Sequence, residues 1–441
     1  MTKIDFNAIA IRKGRLVETI HETAKWGANG VWGSAPTETG VCRLALSDLD
    51  KSVRDWFVKE TTALGCKIKI DQVGNIFAIF PGKNNDALPT GIGSHLDTQP
   101  SGGRYDGILG VLSGLEVLRT LKENNIVPNY PIALVDWTNE EGARFPISMV
   151  ASGVWADAIS LDTCLDLESI DDETPKKFGD ELKRIGYAGE VAASYKENPL
   201  ACHFEIHIEQ GPILEHEGKK IGVVVGGQAF EWNLVTVTGR SSHAGTTPMN
   251  TRSDALLMTS KIVIMAIETA TAYGGVATIG TLHLSPQSVN VIPNEVKFSL
   301  DVRHVEDKIV AEIVSEIKTK AAEICKVGIG SKLAKPLSVN FENLTVSPAI
   351  KFNQTNIDTV KEAALSLFDE KDIREITSGA GHDSCYTSKR VPTSMIFIPS
   401  KDGVSHSPEE YSSPEDVENG FQVLLRTVLL YDELRAEKSD A

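Results

Sequence analysis

Short apolar segments that each end in a polar cluster constrain the fold of this chain more than any other feature. Residues 90–95 end in polar side chains, residues 131–137 run into Thr-Asn-Glu-Glu, and residues 204–208 run into Glu-Gln-Gly-Pro. Between the first two segments, apolar residues recur at helical spacing over residues 109–121. Buried strands that alternate with helices favour an α/β fold with a mostly parallel sheet. Ligands bind at the carboxyl ends of such strands, so the polar clusters are the predicted site.

The pattern changes near residue 230 and returns near residue 346. In between, the predicted elements are a strand at 231–239, a helix at 252–271, strands at 275–285 and 295–304, a helix at 306–326 and a strand at 337–344. This β-α-β-β-α-β order is the ferredoxin-like arrangement. We therefore predict a large α/β domain, residues 1–229 and 346–441, interrupted by a smaller ferredoxin-like α+β domain, residues 230–345. Residues 156–200 are expected to form a polar helical insertion, to which the sequence assigns no role.

The charge of the chain excludes several classes of partner. It has 60 acidic and 44 basic residues and a net charge of −16, whereas nucleic acids and anionic membranes attract a basic surface. No apolar run approaches the roughly 20 residues of a membrane span, and the N-terminus lacks the apolar segment of a secretory signal. The six cysteines form no CxxC pair, which favours reduced thiols and a cytoplasmic protein.

The first polar cluster is GSHLDTQPSGGRYDG, residues 93–107. His95 and Asp97 are two positions apart at a strand end, so their side chains face the same way. The Asp97 carboxylate is expected to accept the second imidazole N–H of His95 and so to orient a metal-binding histidine. Asp106 precedes the next helix, where it is either a metal ligand or simply the helix N-cap.

The second cluster, TNEEGARF, spans residues 138–145. Its adjacent glutamates, Glu140 and Glu141, are either a solvated acidic turn or a pair with divided roles. In a pair, one carboxylate binds a metal ion and its neighbour is the general base for the attacking water.

Histidines complete the candidate site. HFEIHIEQGP, residues 203–212, carries His207 and Gln210 at a strand end, and SKDGVSHSPEEYSSPED, residues 400–416, carries His406 in a strand–helix loop. Each histidine alone is adequately explained as a structural polar contact. Together with the acidic residues they form a mixed nitrogen and oxygen ligand set, which suits zinc, manganese or cobalt better than magnesium or calcium. Five ligands, one of them able to bridge, predict two metal ions about 3.5–4 Å apart.

With these motifs the chain resembles the dinuclear zinc amidohydrolases related to aminoacylases and glutamate carboxypeptidases. Further matching motifs are GRSSHAGTTPM, SVNVIPNEVKFSLDVRH and SGAGHDS, which carry His243, Asn290, Arg303 and His382. The short gap between His95 and Asp106, and HIEQ in place of a single acidic ligand, are typical of the amidase/hydantoinase/carbamoylase branch. That branch includes N-carbamoyl-L-amino acid hydrolase, allantoate amidohydrolase and the yeast-type β-ureidopropionase, of which the first and last resemble this chain most.

The resemblance implies a role for each matching residue. One metal ion is held by His95, Asp106 and His207, and the other by Asp106, Glu141 and His406, with Asp106 bridging. Glu140 is implied to be the general base and Asp97 to orient His95. The implied substrate contacts are Gln210, His243, Asn290, Arg303 and His382, with Arg303 on a substrate carboxylate. The inserted domain is implied to be both a lid and the interface of a homodimer.

The implied activity is hydrolysis of the ureido C–N bond of a small molecule, an N-carbamoyl amino acid, to amino acid, CO2 and ammonia. N-carbamoyl-β-alanine, N-carbamoyl-L-amino acids and allantoate all remain open as substrates at this point. An aminoacylase or dipeptidase on the same scaffold is the alternative enzyme, and a catalytically inactive binding protein is the alternative outside enzymes.

Overall fold

The computed structural model describes residues 5–439, so the first four and last two residues of the predicted large domain lie outside the described range. Contacts divide the chain into two compact units. A large unit contains the chain up to Gly226 and from Lys351 onward, and a small unit contains Gly227–Ile350.

The first part of the large unit alternates helices with strands. The helices are α1 (Arg15–Thr23), α2 (Asp48–Ala63), α3 (Ile108–Glu123), α4 (Val150–Trp155), α5 (Leu161–Leu165), α6 (Phe178–Ile185) and α7 (Ile213–His216). The strands are β1 (Ala28–Val31), β2 (Thr39–Val41), β3 (Lys67–Ile70), β4 (Ile76–Phe80), β5 (Thr90–His95), β6 (Ile132–Trp137), β7 (Cys202–Ile208) and β8 (Ile221–Gly227).

The small unit follows. Its elements are β9 (Ala229–Thr238), β10 (Ser242–His243), α8 (Ala255–Ala272), β11 (Val276–Thr278), β12 (Leu282–Ser285), β13 (Val291–Ile292), β14 (Glu295–His304), α9 (Asp307–Val327) and β15 (Ser338–Ser347). The chain then returns through β16 (Ile350–Lys351), α10 (Gln354–Leu365), β17 (Ile373–Ser378), α11 (Asp383–Thr387), β18 (Thr393–Ile398) and α12 (Pro414–Ser439).

The large sheet has the order β16-β8-β18-β7-β5-β6-β4-β3, with β17 also paired to β8. The four central strands, β18, β7, β5 and β6, are parallel and buried along their whole length. Buried parallel strands need a helix layer on each face, which explains their nearly continuous apolar sequences. Beside them β8 and β4 run antiparallel, so the parallel part of the α/β sheet is restricted to its centre.

The small unit has the predicted ferredoxin-like topology. Its sheet has the order β11-β14-β9-β15, with β12 also on β14, and its strands are antiparallel. The single strand expected at 275–285 is two strands, because Ser299 Oγ accepts the main-chain N–H groups of Gly280 and Thr281 and interrupts the ladder. The fold prediction, an α/β domain interrupted by a ferredoxin-like α+β domain, is confirmed.

Helix α8 is the one helix among the described residues that is long and apolar enough, by length and composition, to cross a membrane. Its inner face belongs to the core of the small unit, where Met258, Ile262 and Ala266 are buried against β14 and α9. The apolar composition of α8 is therefore explained in part by packing inside this unit.

Candidate metal centre

Four loops meet at the carboxyl edge of the parallel strands, and each carries polar side chains. They follow β5, β6, β7 and β18. Five non-glycine residues in these loops have left-handed backbone conformations, namely Asn139 (φ 56°), Met149 (φ 54°), Gln210 (φ 59°), Asp402 (φ 55°) and His406 (φ 53°). Such conformations are costly outside glycine and concentrate at functional sites.

The first group of possible ligands is His95, Asp106 and His207, whose candidate ligand atoms lie within 4.8 Å of one another. Asp106 Oδ1 is 3.0 Å from His207 Nε2 and 3.6 Å from His95 Nε2. Both Nδ1 atoms are within 2.9 Å of main-chain oxygens, those of Asp97 and Ile208. These contacts suit the tautomer with the proton on Nδ1, which leaves Nε2 free to bind a metal ion.

The second group is Asp106, Glu141 and His406, again within 4.8 Å. His406 Nε2 is 3.2 Å from Asp106 Oδ2 and 3.4 Å from Glu141 Oε2. Asp106 therefore offers one oxygen to each group, as a bridging carboxylate would. The structure brings together all five residues that the sequence predicts as ligands.

These residues fit a pair of divalent ions. His95 Nε2 is buried and has no hydrogen-bond partner among the described residues. A buried imidazole nitrogen without a partner is costly, and a metal ion would satisfy it. The donor set of imidazole nitrogens and carboxylate oxygens suits zinc.

Asp106 is not the N-cap of α3, so that alternative is wrong. Helix α3 begins at Ile108, and its N-cap is Gly107, with φ of 67°. A Cβ atom at Gly107 would lie 2.2 Å from His95 Cε1. Glycine is thus required both for the left-handed turn and for the close approach of the ligand histidine.

Glu140 lies beside the first ligand group, with Oε2 3.5 Å from His95 Nε2. Burial, and then the negative charges of Asp383 and Glu141, raise the pKa of Glu140 well above its ordinary value. A raised pKa is the property expected of a carboxylate that takes and returns a proton near neutral pH.

The contacts of Asp97 differ from the expectation. Its main-chain oxygen, rather than its carboxylate, is the partner of His95 Nδ1 at 2.9 Å, and the carboxylate Oδ1 is 4.0 Å from that nitrogen. The carboxylate instead accepts the main-chain N–H groups of Glu140 at 3.2 Å and Glu141 at 3.3 Å. The expected carboxylate–imidazole hydrogen bond was therefore wrong, and the Asp97 carboxylate holds the two glutamates.

Two of the predicted substrate residues also belong to this cluster. Gln210 Nε2 donates to Asp106 Oδ2 at 2.9 Å. His382 is buried, its ring centroid is 4.5 Å from that of His207, and its Nε2 is 3.1 Å from Ser378 Oγ. Burial and then the neighbouring His207 lower the pKa of His382 well below its ordinary value, which favours the neutral imidazole.

The other three predicted substrate residues belong to the small unit. His243 and Asn290 lie together where β10 and β13 pair, and the Asn290 main-chain oxygen accepts the N–H of Ala244 at 2.9 Å. Arg303 is on β14, where its guanidinium donates to both carboxylate oxygens of Asp301, to Oδ1 at 3.1 Å and to Oδ2 at 2.7 Å, and stacks on the Phe230 ring.

Sequence reasoning missed two buried acids of the large unit. Glu205 accepts the hydroxyl groups of Ser94 at 2.7 Å and Ser384 at 2.6 Å, two positions before His207 on β7. Glu410 accepts two main-chain N–H groups beside Asp106. Glu205 shares the strand face of His207, which is the one sequence signal that points to it. Glu410 follows His406 by four positions in a loop rich in serine, proline and glutamate.

Comparisons with known proteins agree with this geometry. The sequence profile of peptidase family M20/M25/M40 matches residues 91–430. The N-carbamoyl-L-amino-acid amidohydrolase of Rhizobium meliloti is 39% identical over 422 residues, 95% of this chain and 96% of that protein. The ureidoglycolate hydrolase of Oryza sativa subsp. japonica is 34% identical over 391 residues, 87% of this chain and 79% of that protein. A crystal structure of an amidase of the hydantoinase/carbamoylase family from Burkholderia multivorans has a TM-score of 0.87 and 42% identity, covering 96% of this chain and 98% of that chain.

Proposed function

The chain belongs to peptidase family M20/M25/M40 and to its hydantoinase/carbamoylase branch, and on that premise we propose that it hydrolyses the ureido C–N bond of an N-carbamoyl-L-amino acid. The observation that carries the proposal is the pair of ligand groups that share Asp106, with Glu140 beside them. The products are the free amino acid, CO2 and ammonia.

A ureido carbonyl is a weak electrophile, so the site has to supply both a nucleophile and charge stabilisation. Two divalent ions, when bound by His95, Asp106, His207, Glu141 and His406, lower the pKa of a water molecule towards about 7 and polarise the carbonyl. Zinc is the proposed metal, with manganese or cobalt as alternatives.

The protein residues do the rest. Glu140 takes a proton from the attacking water and returns it to the departing nitrogen as the C–N bond breaks. His382 and His243 are proposed to stabilise the charge that develops on the ureido oxygen. Arg303 is proposed to hold the substrate carboxylate with its planar fork, and Gln210 and Asn290 to contact the substrate.

The small unit, which corresponds to the predicted domain 230–345, is proposed to serve as lid and homodimer interface. The lid role follows from the three proposed substrate residues that it carries. The interface role is supported by apolar side chains on the outer face of α8, where Ile264 is 59% and Ile267 45% exposed, because exposed apolar patches often mark protein contacts. A cytoplasmic location is part of the same proposal.

A second candidate is hydrolysis of ureidoglycolate, which the similarity to the Oryza sativa enzyme favours. The substrates of both candidate reactions are small molecules that carry a carboxylate and a C–N bond to be cleaved. They differ at the carbon beside the carboxylate. Ureidoglycolate has a hydroxyl group on this carbon, whereas an N-carbamoyl-L-amino acid has its side chain there.

The test is a substrate panel with purified, Zn²⁺-loaded protein. It would compare N-carbamoyl-L-amino acids, N-carbamoyl-β-alanine, allantoate, ureidoglycolate and N-acetyl-L-amino acids, with ammonia or free amino acid as the readout. We expect the highest kcat/KM for an N-carbamoyl-L-amino acid. A higher value for the N-acetyl compounds would contradict the proposal, and a higher value for ureidoglycolate would favour the second candidate.

Metal content is the second measurement. We expect about two divalent ions per chain, loss of activity after chelation and no loss of fold, because a core of this size does not depend on metal as a small zinc module does. Full activity in metal-free protein would contradict the assignment of the site.

A further inference from the structure

Glu410 lies in the loop between β18 and α12, four positions after His406, and is 2% exposed. A buried carboxylate is costly unless hydrogen bonds compensate for the lost water. Here Oε1 accepts the main-chain N–H groups of Tyr105 at 3.1 Å and Asp106 at 3.0 Å, and Oε2 accepts the hydroxyl of Ser405 at 2.8 Å. A single side chain therefore connects two loops that are about 300 positions apart in the sequence.

Both of these loops supply possible metal ligands. The loop after β5 carries Asp106, which belongs to both ligand groups, and the loop after β18 carries His406. Ser405, which Glu410 binds, is adjacent to His406 and has its hydroxyl 3.4 Å from Asp106 Oδ2. The contact is also closely packed, because a Cβ atom at Gly103 would lie 2.2 Å from Glu410 Oε1.

We propose that Glu410 is a positioning residue, which fixes the main chain of Asp106 and the His406 loop so that the two ligand groups are formed before metal binds. This inference rests on the proposed two-metal site. Hydrogen bonds to the main chain of one ligand and to the neighbour of another set the separation of the two groups. Residues that support metal ligands in this way contribute strongly to metal affinity.

The charge of Glu410 distinguishes this role from that of a purely structural contact, which would only stabilise the fold. Without metal, its carboxylate lies among other buried acids, Asp106 and Glu141, and like charges that are close together oppose one another's ionisation. With two divalent ions bound, the same charge is favourable. Neutralising Glu410 should therefore weaken the metal-bound form without weakening the metal-free form, whereas loss of a purely structural contact would weaken both.

The experiment compares Glu410→Gln with Glu409→Gln, a matched control because Glu409 is the exposed neighbour in the same loop. Zn²⁺ affinity would be measured by competition with a chromophoric chelator, and the Tm of metal-free protein by calorimetry. For Glu410→Gln we expect about 10- to 100-fold weaker Zn²⁺ binding, an unchanged or raised metal-free Tm, and recovery of most kcat at saturating Zn²⁺. Glu409→Gln should match the wild type. Ser405→Ala removes only the hydrogen bond between Glu410 and the neighbour of His406, so it should weaken Zn²⁺ binding less.

Two results would overturn the inference. One is wild-type Zn²⁺ affinity in Glu410→Gln, and the other is weaker Zn²⁺ binding together with a lower metal-free Tm, which is the behaviour of a purely structural contact. The proposed function is tested separately. Weakened Zn²⁺ binding in Glu410→Gln together with a wild type that cleaves no ureido substrate would leave Glu410 in its role and refute the function.

Discussion

Replacing Asp97 by asparagine tests how the two glutamates of the site are held. The Asp97 carboxylate is 1% exposed and accepts the main-chain N–H groups of Glu140 and Glu141. The asparagine amide keeps one acceptor oxygen, but its NH2 group faces the second main-chain N–H and cannot accept a hydrogen bond from it. One charged hydrogen bond becomes a neutral one, a loss of about 1 kcal/mol, and one buried N–H loses its acceptor, which costs about 1–3 kcal/mol.

The total, about 2–4 kcal/mol, corresponds to a fall of about 30- to 1000-fold in kcat/KM if it appears wholly in the transition state. The assay is steady-state kinetics at saturating Zn²⁺ on the single variants Asp97→Asn and Glu140→Gln and on the double variant. Saturating Zn²⁺ offsets the effect of Asp97 on the proposed ligand Glu141, so the remaining effect acts through Glu140 and the double variant should be little worse than Glu140→Gln alone. If the two losses multiply, Asp97 acts by another route and the reasoning from these hydrogen bonds is refuted.

Three further predictions follow from the geometry. Glu140→Gln should keep both metal ions and lose at least about 100-fold in kcat, whereas Glu141→Gln should lower the metal content; equal metal loss in both would contradict the division of roles. Arg303→Lys keeps the charge but loses the planar fork, so it should slow a carboxylate substrate more than a carbamoyl amine without one; equal slowing of the two substrates would show that Arg303 does not hold the carboxylate. Burial alone would raise the pKa of Asp172, but hydrogen bonds from Ser169, Arg144 and Lys176 lower it to about 2. Its contribution to stability is present above the unfolded pKa of about 4 and is lost as the pH falls towards 2. Asp172→Asn should therefore be less stable than the wild type at pH 5 and match it near pH 2, as urea unfolding at several pH values would reveal.

The ligand residues were predictable because each belongs to a local pattern. His95 and His207 lie at the carboxyl ends of β5 and β7, and Glu141 lies in the loop after β6. The strand ends of a parallel sheet meet at one edge. The same local reasoning was unable to separate a ligand role from a helix N-cap at Asp106. That distinction depends on where α3 begins, at Ile108, and element boundaries are the least predictable part of a sequence pattern.

The contacts of Asp97 were not predictable, because they depend on strand pairing. Strands β5 and β6 are neighbours with His95 opposite Trp137, which brings the residues that follow His95 beside those that follow Trp137. Sequence spacing relates Asp97 to His95, two positions away, and gives no reason to relate it to a main-chain N–H at residue 140. The parallel register supplies that reason, and it makes Asp97 a residue that arranges the general base.

Glu410 extends the same argument to loops. Its partners Tyr105 and Asp106 are about 300 positions away, and no periodicity or motif spacing reports a side chain that accepts the main chain of another loop. What the sequence does contain is a glutamate among Ser, Pro and Glu residues, a composition typical of solvated turns. The burial of Glu410 is the observation that distinguishes it from Glu409. The site is thus made of two kinds of acid: those whose ligand role local patterns predict, and those whose contacts only the tertiary structure identifies, such as Asp97 and Glu410, which hold the loops of the candidate ligands in place.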